Sequence, residues 1–353
     1  MSDKFYEFPE FQNQSSLNID HLIHNNQILC KNLFSTKNLI NQQKKWDVAK
    51  KFANEYELVS AFNNAGIADI NPISRSFFKL IEIIHDMKLY HLLSDCACLC
   101  EGPGGFIQAI HTVASQANIP INSIHTITLI SNDKKVPNWK NIDRFTNVVT
   151  HFGEDKTGNL YNFNNVRNFI DNVGKNTIAL VTADGGFDFS NDFNSQETEF
   201  LRLLTIEIYI ALNIQKVNGT FVCKVFDLFN INSIYLISML RKYYKYVYFH
   251  KPKTSRPANS EKYIICSLFK NNIAPETLKT LKNIIQSGIY NYMCQILTTD
   301  EISDTYNYIY NYNELFVRNQ IEYIHKTIDI ANNIIQINKY QNLERCKLWC
   351  KKY

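Results

Sequence analysis

The chain lacks any apolar run long enough to span a bilayer. Its first residues, Met-Ser-Asp-Lys-Phe-Tyr-Glu-Phe, mix charges with aromatics and do not form a signal peptide. Neither sign of charge dominates: 20% of the residues are charged and the net charge is +4. That modest content argues against global disorder. The mildly basic balance permits a nucleic acid partner without demanding one. Cys-x-x-Cys pairs are also missing. The nine cysteines are an odd number, Cys96, Cys98 and Cys100 alternate along one strand-like run, and Cys223 and Cys266 lie in apolar runs. This is the pattern of reduced, buried thiols in an intracellular chain. Alternate strand positions do not converge on one ion, so no metal is expected. A cytoplasmic location and no membrane partner follow as expectations. No internal repeat is visible.

What is present is enough apolar material for a large core: 45% hydrophobic and 13% aromatic residues. Asn, Ile, Lys and Tyr are abundant, a bias that fits an AT-rich genome. At 353 residues the chain has room for two or three domains, or for one with extensions. Residues 1–60 are polar and aromatic, with weak helical patterning from Lys44 to Phe62, and 1–65 reads as an N-terminal extension. From Ser74 onward, Phe77, Leu80, Ile81, Ile84 and Met87 recur at helical spacing. Strand-like runs at 95–100, 124–130, 177–183, 219–226, 245–250 and 262–269 then alternate with helical ones at 104–117, 162–173, 196–215 and 231–243. Such alternation predicts an α/β, Rossmann-like, doubly wound and mostly parallel sheet over 66–272. Ligands of such sheets lie at the carboxyl ends of the strands. Ala274-Pro275-Glu276 reads as a helix start, and 273–353 as a helical C-terminal extension.

Four stretches carry chemistry. Glu101-Gly102-Pro103-Gly104-Gly105-Phe106 follows a buried strand and opens a helix. No Lys-Ser/Thr follows its glycines, so it is not a P-loop, and it is not the GxGxxG of dinucleotide binders. An acid leading into a helix N-terminus suits a ligand with an ammonium for Glu101 and a carboxylate for the amides after Gly104. An ordinary strand-to-helix turn has the same look. Asp184 ends a strand and precedes Gly185-Gly186, which is either a ligand-edge carboxylate or a common Asp-Gly turn. Lys224 interrupts the apolar run Gly219–Phe226. It either snorkels from an edge strand or faces a dry interior, where it needs partners such as Asp184. Glu261 stands where a polar loop enters a strand, and Lys251, Lys253 and Arg256 make that loop basic enough for phosphate contacts.

Together these residues resemble the FtsJ-like (RrmJ-type) RNA 2′-O-ribose methyltransferases. Ser74-Arg75-Ser76-Phe77-Phe78-Lys79-Leu80 is similar to that family's Ser-Arg-x-x-x-Lys-Leu helix, and 101–106 to its cofactor loop. Lys79, Asp184, Lys224 and Glu261 follow the order of its Lys-Asp-Lys-Glu tetrad. The likeness covers roughly 70–270 and is strongest to the cap-specific mRNA branch. There His125–Leu129 resembles a Gly-x-Thr-Leu strand, Gly153–Gly158 a Gly-x-Asp-Gly-x-Gly turn, and 251–261 a Lys-Pro…Ser-Arg…Asn-Ser-Glu stretch. The strand has no glycine ahead of Thr128, and Lys156 stands where glycine is frequent.

The resemblance implies a seven-stranded methyltransferase sheet with S-adenosyl-L-methionine on Glu101, Gly102, Pro103, Gly104, Gly105 and Phe106. It puts Thr128, Leu129 and Asp155 near the adenosine, and Asp184 in both the cofactor and the catalytic set. It implies transfer of a methyl group to the ribose 2′-hydroxyl of a cap-proximal nucleotide of mRNA. Lys224 would be the base, with Lys79 lowering its pKa and the two carboxylates orienting the amines. Arg75, Lys251, Lys253, Arg256 and Ser260 are the expected RNA contacts, and other capping enzymes are expected partners. The composition further suggests a large DNA virus as source. The alternatives are a ribosomal or transfer RNA ribose methyltransferase, and a non-catalytic RNA-binding subunit with the same fold.

Overall fold

A computed structural model describes residues 6–8, 19–60, 67–186 and 192–353. The expected boundary at 65–66, and the end of the helical pattern reaching Phe62, lie outside the described residues. The six strand-like runs of the sequence form Asp95–Leu99 (β2), Ser123–Ile127 (β3), Ile178–Ala183 (β5), Gln215–Val225 (β6), Tyr244–His250 (β7) and Lys262–Phe269 (β8), and Val148–His151 (β4), unmarked in the sequence, brings them to the seven that the resemblance implies. A two-residue strand, Tyr6–Glu7 (β1), is added at one edge, so the order is β1-β7-β8-β6-β5-β2-β3-β4. Pairs among β2, β3, β4, β5 and β6 are parallel, while β8 runs antiparallel to both β6 and β7.

Helices cover both faces, as an α/β sheet buried on each side requires. On one face Ser76–Asp86 (α3) and Gly105–Gln116 (α4) bring Phe77, Leu80, Phe106 and Ile110 onto Cys96, Cys98 and Val222. On the other, Phe163–Val173 (α5), Gln196–Ile214 (α6) and Ile231–Tyr243 (α7) bury Phe169, Phe200, Leu204 and Leu236. Asn162 and Asn230 cap α5 and α7 by accepting the amides of Asn164 and Asn232.

The flanks are helical too. Ile19–Asn38 (α1) and Trp46–Ala53 (α2) precede the sheet, and Pro275–Ser287 (α8), Thr299–Ala331 (α9) and Lys339–Lys352 (α10) follow it. A Thr298/Glu301 capping box starts α9. Leu33 of α1 packs with Val317 and Ile324 of α9, and Trp349 of α10 meets Phe78 edge-on. Among the described residues, no helix is long and apolar enough to cross a membrane.

Register fixes what meets at the strand ends. Ala183 pairs with Cys223, so Asp184 and Lys224 emerge side by side. Lys224 pairs with Tyr263 of the antiparallel β8, which brings Glu261 to the same edge.

Candidate active site

Glu101, Thr128, Asp184 and Lys224 stand at the carboxyl ends of the adjacent strands β2, β3, β5 and β6, where ligands of such sheets bind. Lys224 is 8% exposed, and its Nζ lies 3.2 Å from Asp184 Oδ1 and donates to Asp184 O at 2.9 Å. Tyr263 donates its hydroxyl to the same Oδ1 at 2.8 Å. Lys79, on α3, reaches Glu261 Oε1 at 2.6 Å, and Ser255 Oγ donates to that oxygen at 2.8 Å. The four residues singled out in the sequence therefore form two ion pairs at one edge. A β-carbon on Gly186 would stand 3.1 Å from Lys224 Nζ, so glycine there keeps the amine accessible.

At Lys224 the opposing influences of burial and the carboxylates resolve in favour of the carboxylates. Burial pushes its pKa down, but Asp184, Glu261 and the hydrogen bond to Asp184 outweigh burial and leave it above the ordinary lysine value. Glu261 shows the reciprocal effect: against burial, Lys79 and Lys224 hold it well below the usual carboxylate range.

Glu101 is 2% exposed and pushed up to about 8 by burial and by the neighbouring Asp184. Its Oε1 accepts the Phe106 amide at 2.7 Å, while Oε2 is buried and has no hydrogen-bond partner among the described residues. A buried unpaired acceptor fits a ligand ammonium. The Phe106 amide, expected to face a ligand carboxylate, is thus taken by Glu101. The Phe106 ring is fully buried beside Tyr263, so only its backbone serves the turn. Gly102 is demanded by the protein itself, since a β-carbon there would meet Pro137 O at 1.9 Å. Pro103 O accepts Lys140 N–H at 2.9 Å, which ties the turn to the loop after β3. Gly104 has φ +117°, and Gly105 lies against Ser74 and Ser76. Thr128 is buried and Leu129 is 39% exposed. Asp155 is exposed but occupied, accepting from Thr157, Asn162 and Asn165, and these bonds hold it below the usual carboxylate range.

Two expected RNA contacts point inward. Lys251 Nζ donates to Asn259 O, Asn259 Oδ1 and Glu261 O at 2.8, 2.7 and 2.6 Å, and burial pushes its pKa well below the ordinary value. Ser260 is 1% exposed and accepts from Gln320 Nε2 of α9 at 3.0 Å. Ser260 is removed from an RNA-facing surface by burial, and the ammonium of the half-buried Lys251 is occupied by its three acceptors. Arg75 and Arg256 share the carboxylate of Glu57, and Lys253 lies 6.0 Å over the Tyr56 ring. Glu57, Glu82 and Gln320, which hold this loop, escaped the sequence reading. Only Glu82 left a trace there, as a charge inside Leu80-Ile81-Glu82-Ile83-Ile84.

Beside the loop lies a cavity of about 140 Å³ lined by Trp46, Lys50, Phe193, Arg256, Asn259 and Gln320, among others. It combines aromatic faces with cationic side chains next to the strand that Glu261 enters.

The model of the family described as FtsJ-like methyltransferase matches residues 72–269. The cap-specific mRNA (nucleoside-2′-O-)-methyltransferase 1A of Caenorhabditis briggsae is 28% identical over 271 residues, 73% of this chain and 30% of that protein. The cap-specific mRNA (nucleoside-2′-O-)-methyltransferase 1 of Mus musculus is 34% identical over 183 residues, 50% and 22% of the two chains. A second Caenorhabditis briggsae protein, described as an inactive cap-specific mRNA (nucleoside-2′-O-)-methyltransferase 1B, is 26% identical over 73% of this chain and 31% of its own length. The chain spans less than a third of each of these animal relatives, and a viral origin draws no support from them.

Proposed function

The chain belongs to the FtsJ-like methyltransferase family, and from that premise we propose that it moves a methyl group from S-adenosylmethionine to a ribose 2′-hydroxyl near the cap of mRNA. The observation that carries the reading is the convergence of Lys79, Asp184, Lys224 and Glu261, in two ion pairs, on the ligand edge of the sheet. One relative is described as inactive, so the family alone does not make an enzyme. A chain that has lost catalysis has no need to keep two largely buried lysines in register with two carboxylates.

S-adenosylmethionine supplies the methyl group on a positively charged sulfur, which makes it an electrophile without a metal. Glu101 is the residue to hold its ammonium, because its Oε2 is a buried acceptor with no partner among the described residues. In this reading Thr128 and Leu129 border the adenosine, and Asp155 serves by fixing the segment 155–165 through its bonds to Thr157 and Asn165. Lys224 removes the hydroxyl proton. Asp184 grips its Nζ twice, which leaves one N–H position, the future lone pair, uncommitted to that residue. In the resting state Lys224 is protonated, so it must first give that proton to solvent. Alignment of the reacting groups supplies much of the rate.

The cap reading draws on the relatives' names and on the cavity beside Glu261. A flat base stacks on aromatic rings, and its phosphates suit nearby cations. Trp46 and Lys50 are one helical turn apart on α2 and present both. Capped mRNA is the proposed partner, with other capping enzymes beside it.

The test is methyl transfer from labelled S-adenosylmethionine to matched capped and uncapped RNA, with Lys224→Ala in parallel. Label on the capped RNA alone, lost in the variant, is the expected result. Label on uncapped RNA would replace the cap reading with a ribosomal or transfer RNA one. Cofactor binding with no transfer to either RNA would favour a non-catalytic RNA-binding role.

A further inference from the structure

Helix α3 does more than carry Lys79. Arg75, Lys79 and Glu82 follow one another at i, i+4 and i+7, on one face, and all three contact the stretch between β7 and β8. Arg75 Nη2 donates to Thr254 O at 3.0 Å. Lys79 meets Glu261. Glu82 is fully buried, and its carboxylate accepts from Lys253 N–H and Thr254 N–H at 2.8 Å each and from Thr254 Oγ1 at 2.5 Å. A carboxylate in an apolar core costs several kcal/mol unless it is satisfied (~2–7 for even an uncharged polar group), so this site exists to be filled by those three donors.

The turn that Glu82 grips leads straight back to the tetrad. Ser255 N–H closes it onto Pro252 O at 3.0 Å. Ser255 Oγ then donates to Glu261 Oε1, the oxygen that holds Lys79. The contacts close a ring: α3, Glu82, Thr254, Ser255, Glu261, Lys79 and α3 again. Glu82 also stands with Asp86 and His250, their ligand atoms lying within 4.8 Å of one another. A metal reading of that group fails on its carboxylates. That of Glu82 already accepts three hydrogen bonds from the turn, and Asp86 accepts from Lys352 Nζ and Tyr353 OH.

We propose that Glu82 and Thr254 are positioning residues, which hold Glu261 against Lys79 by fixing the turn Pro252–Ser255. Neither touches a reacting atom. The kinetic part of this inference rests on the methyl-transfer reading; the geometric part does not.

The test uses the full chain with Thr254→Val, which keeps shape and loses the hydroxyl, Thr254→Ser, which keeps the hydroxyl, and Glu82→Gln. Each is measured for cofactor Kd, for kcat and KM of methyl transfer, for Tm, and for the Lys79–Glu261 separation in a crystal structure. Thr254→Val should lower kcat about tenfold and Glu82→Gln about 100-fold. Cofactor Kd should stay within about twofold, since the cofactor turn belongs to β2 and α4. Thr254→Ser should behave as the parent, and the Lys79–Glu261 distance should lengthen beyond about 4 Å in the impaired variants. A folded Glu82→Gln or Thr254→Val that keeps the short contact, or parental kcat, overturns the proposal. So does a parallel loss of Tm, cofactor binding and kcat, which would mark a merely structural role. If the parent itself transfers no methyl, the functional reading fails, and the crystal separations alone decide this one. Should Glu82→Gln not fold, Thr254→Val carries the test.

Discussion

At Lys224 two influences compete, and their balance sets how the rate should respond to pH. Removing the amine from water favours the neutral form, while Asp184 and Glu261 favour the charged one and prevail. The reactive neutral fraction is then small at pH 7 and grows about tenfold per pH unit. The log of kcat should therefore climb with a slope near +1 from about pH 6.5 to 9.5, with no plateau near neutrality. A profile that levels below about pH 8 would mean that the lysine is depressed after all. Glu101 titrates with the opposite consequence. Its ordinary value of 4.5 is raised to about 8 in the folded chain. Between those values the folded state holds an extra proton, so this group opposes folding increasingly as pH rises through the window. A cation placed on Oε2 reverses the shift. Cofactor binding near neutrality should release a proton and tighten from pH 6 to about 8. Calorimetry in two buffers of different ionisation enthalpy reads that proton directly, and equal heats in both would refute it. Residues such as these were legible in the sequence because each is a charge set in apolar or glycine surroundings. Glu57 and Gln320 were not: their partners, Arg256 and Ser260, lie 199 and 60 residues away, and nothing in their neighbours distinguishes them from solvated side chains.

At the scale of elements, runs with a clear period declared themselves and runs without one did not. The Leu180–Ala183 segment is buried on both faces, and α3 repeats its apolar residues every three or four positions, so both were readable. Val148–His151 has four residues, none of them buried, and sits at the sheet edge, which leaves too little pattern to mark it as a strand. Helix α1 was missed for another reason. Its few buried residues, among them Leu22, Asn26 and Leu33, serve partners on α9 that lie far away in sequence. The glycine turn was read as room for a ligand, and part of its purpose is instead contact between elements. Because Pro137 O occupies the place of a Gly102 β-carbon, Gly102→Ala must push a backbone segment aside. Overpacking of that kind costs about 1–3 kcal/mol. Tm should fall and cofactor affinity should fall with it, as the turn is displaced from Thr128. An unchanged Tm would show that the loop yields freely.

At the scale of the whole molecule, the flanking helices are built into the core. Phe8 and Leu22 belong to the same apolar cluster as Phe249, Ile309 and Tyr312, so both ends of the chain share a core with the sheet. Lys37 of α1 forms a buried ion pair at 2.6 Å with Asp227, just beyond the end of β6, and Asp227 stays below its ordinary value for that reason, burial notwithstanding. On the far side Trp349 and Tyr353 brace α3 through Phe78 and Asp86. Lys37→Ala would leave a buried carboxylate without its partner, a loss of about 3–5 kcal/mol where a buried pair is broken. Denaturation followed by fluorescence and by circular dichroism should give one coincident transition in the parent and in this variant, at lower denaturant in the variant. Two separated transitions would show that the extensions unfold on their own.

The pairing of the four tetrad charges has a consequence for how a polyanion arrives. Two ammonium groups matched by two carboxylates sum to no net charge, so the chemical centre neither draws in nor repels a phosphate chain. Counterions displaced on binding must come from phosphates held elsewhere, and the salt dependence of affinity counts those contacts, about 0.7 per phosphate for a single strand. Ionic strength therefore separates capture from chemistry in this molecule: salt should loosen the grip on RNA while leaving turnover of the bound complex intact.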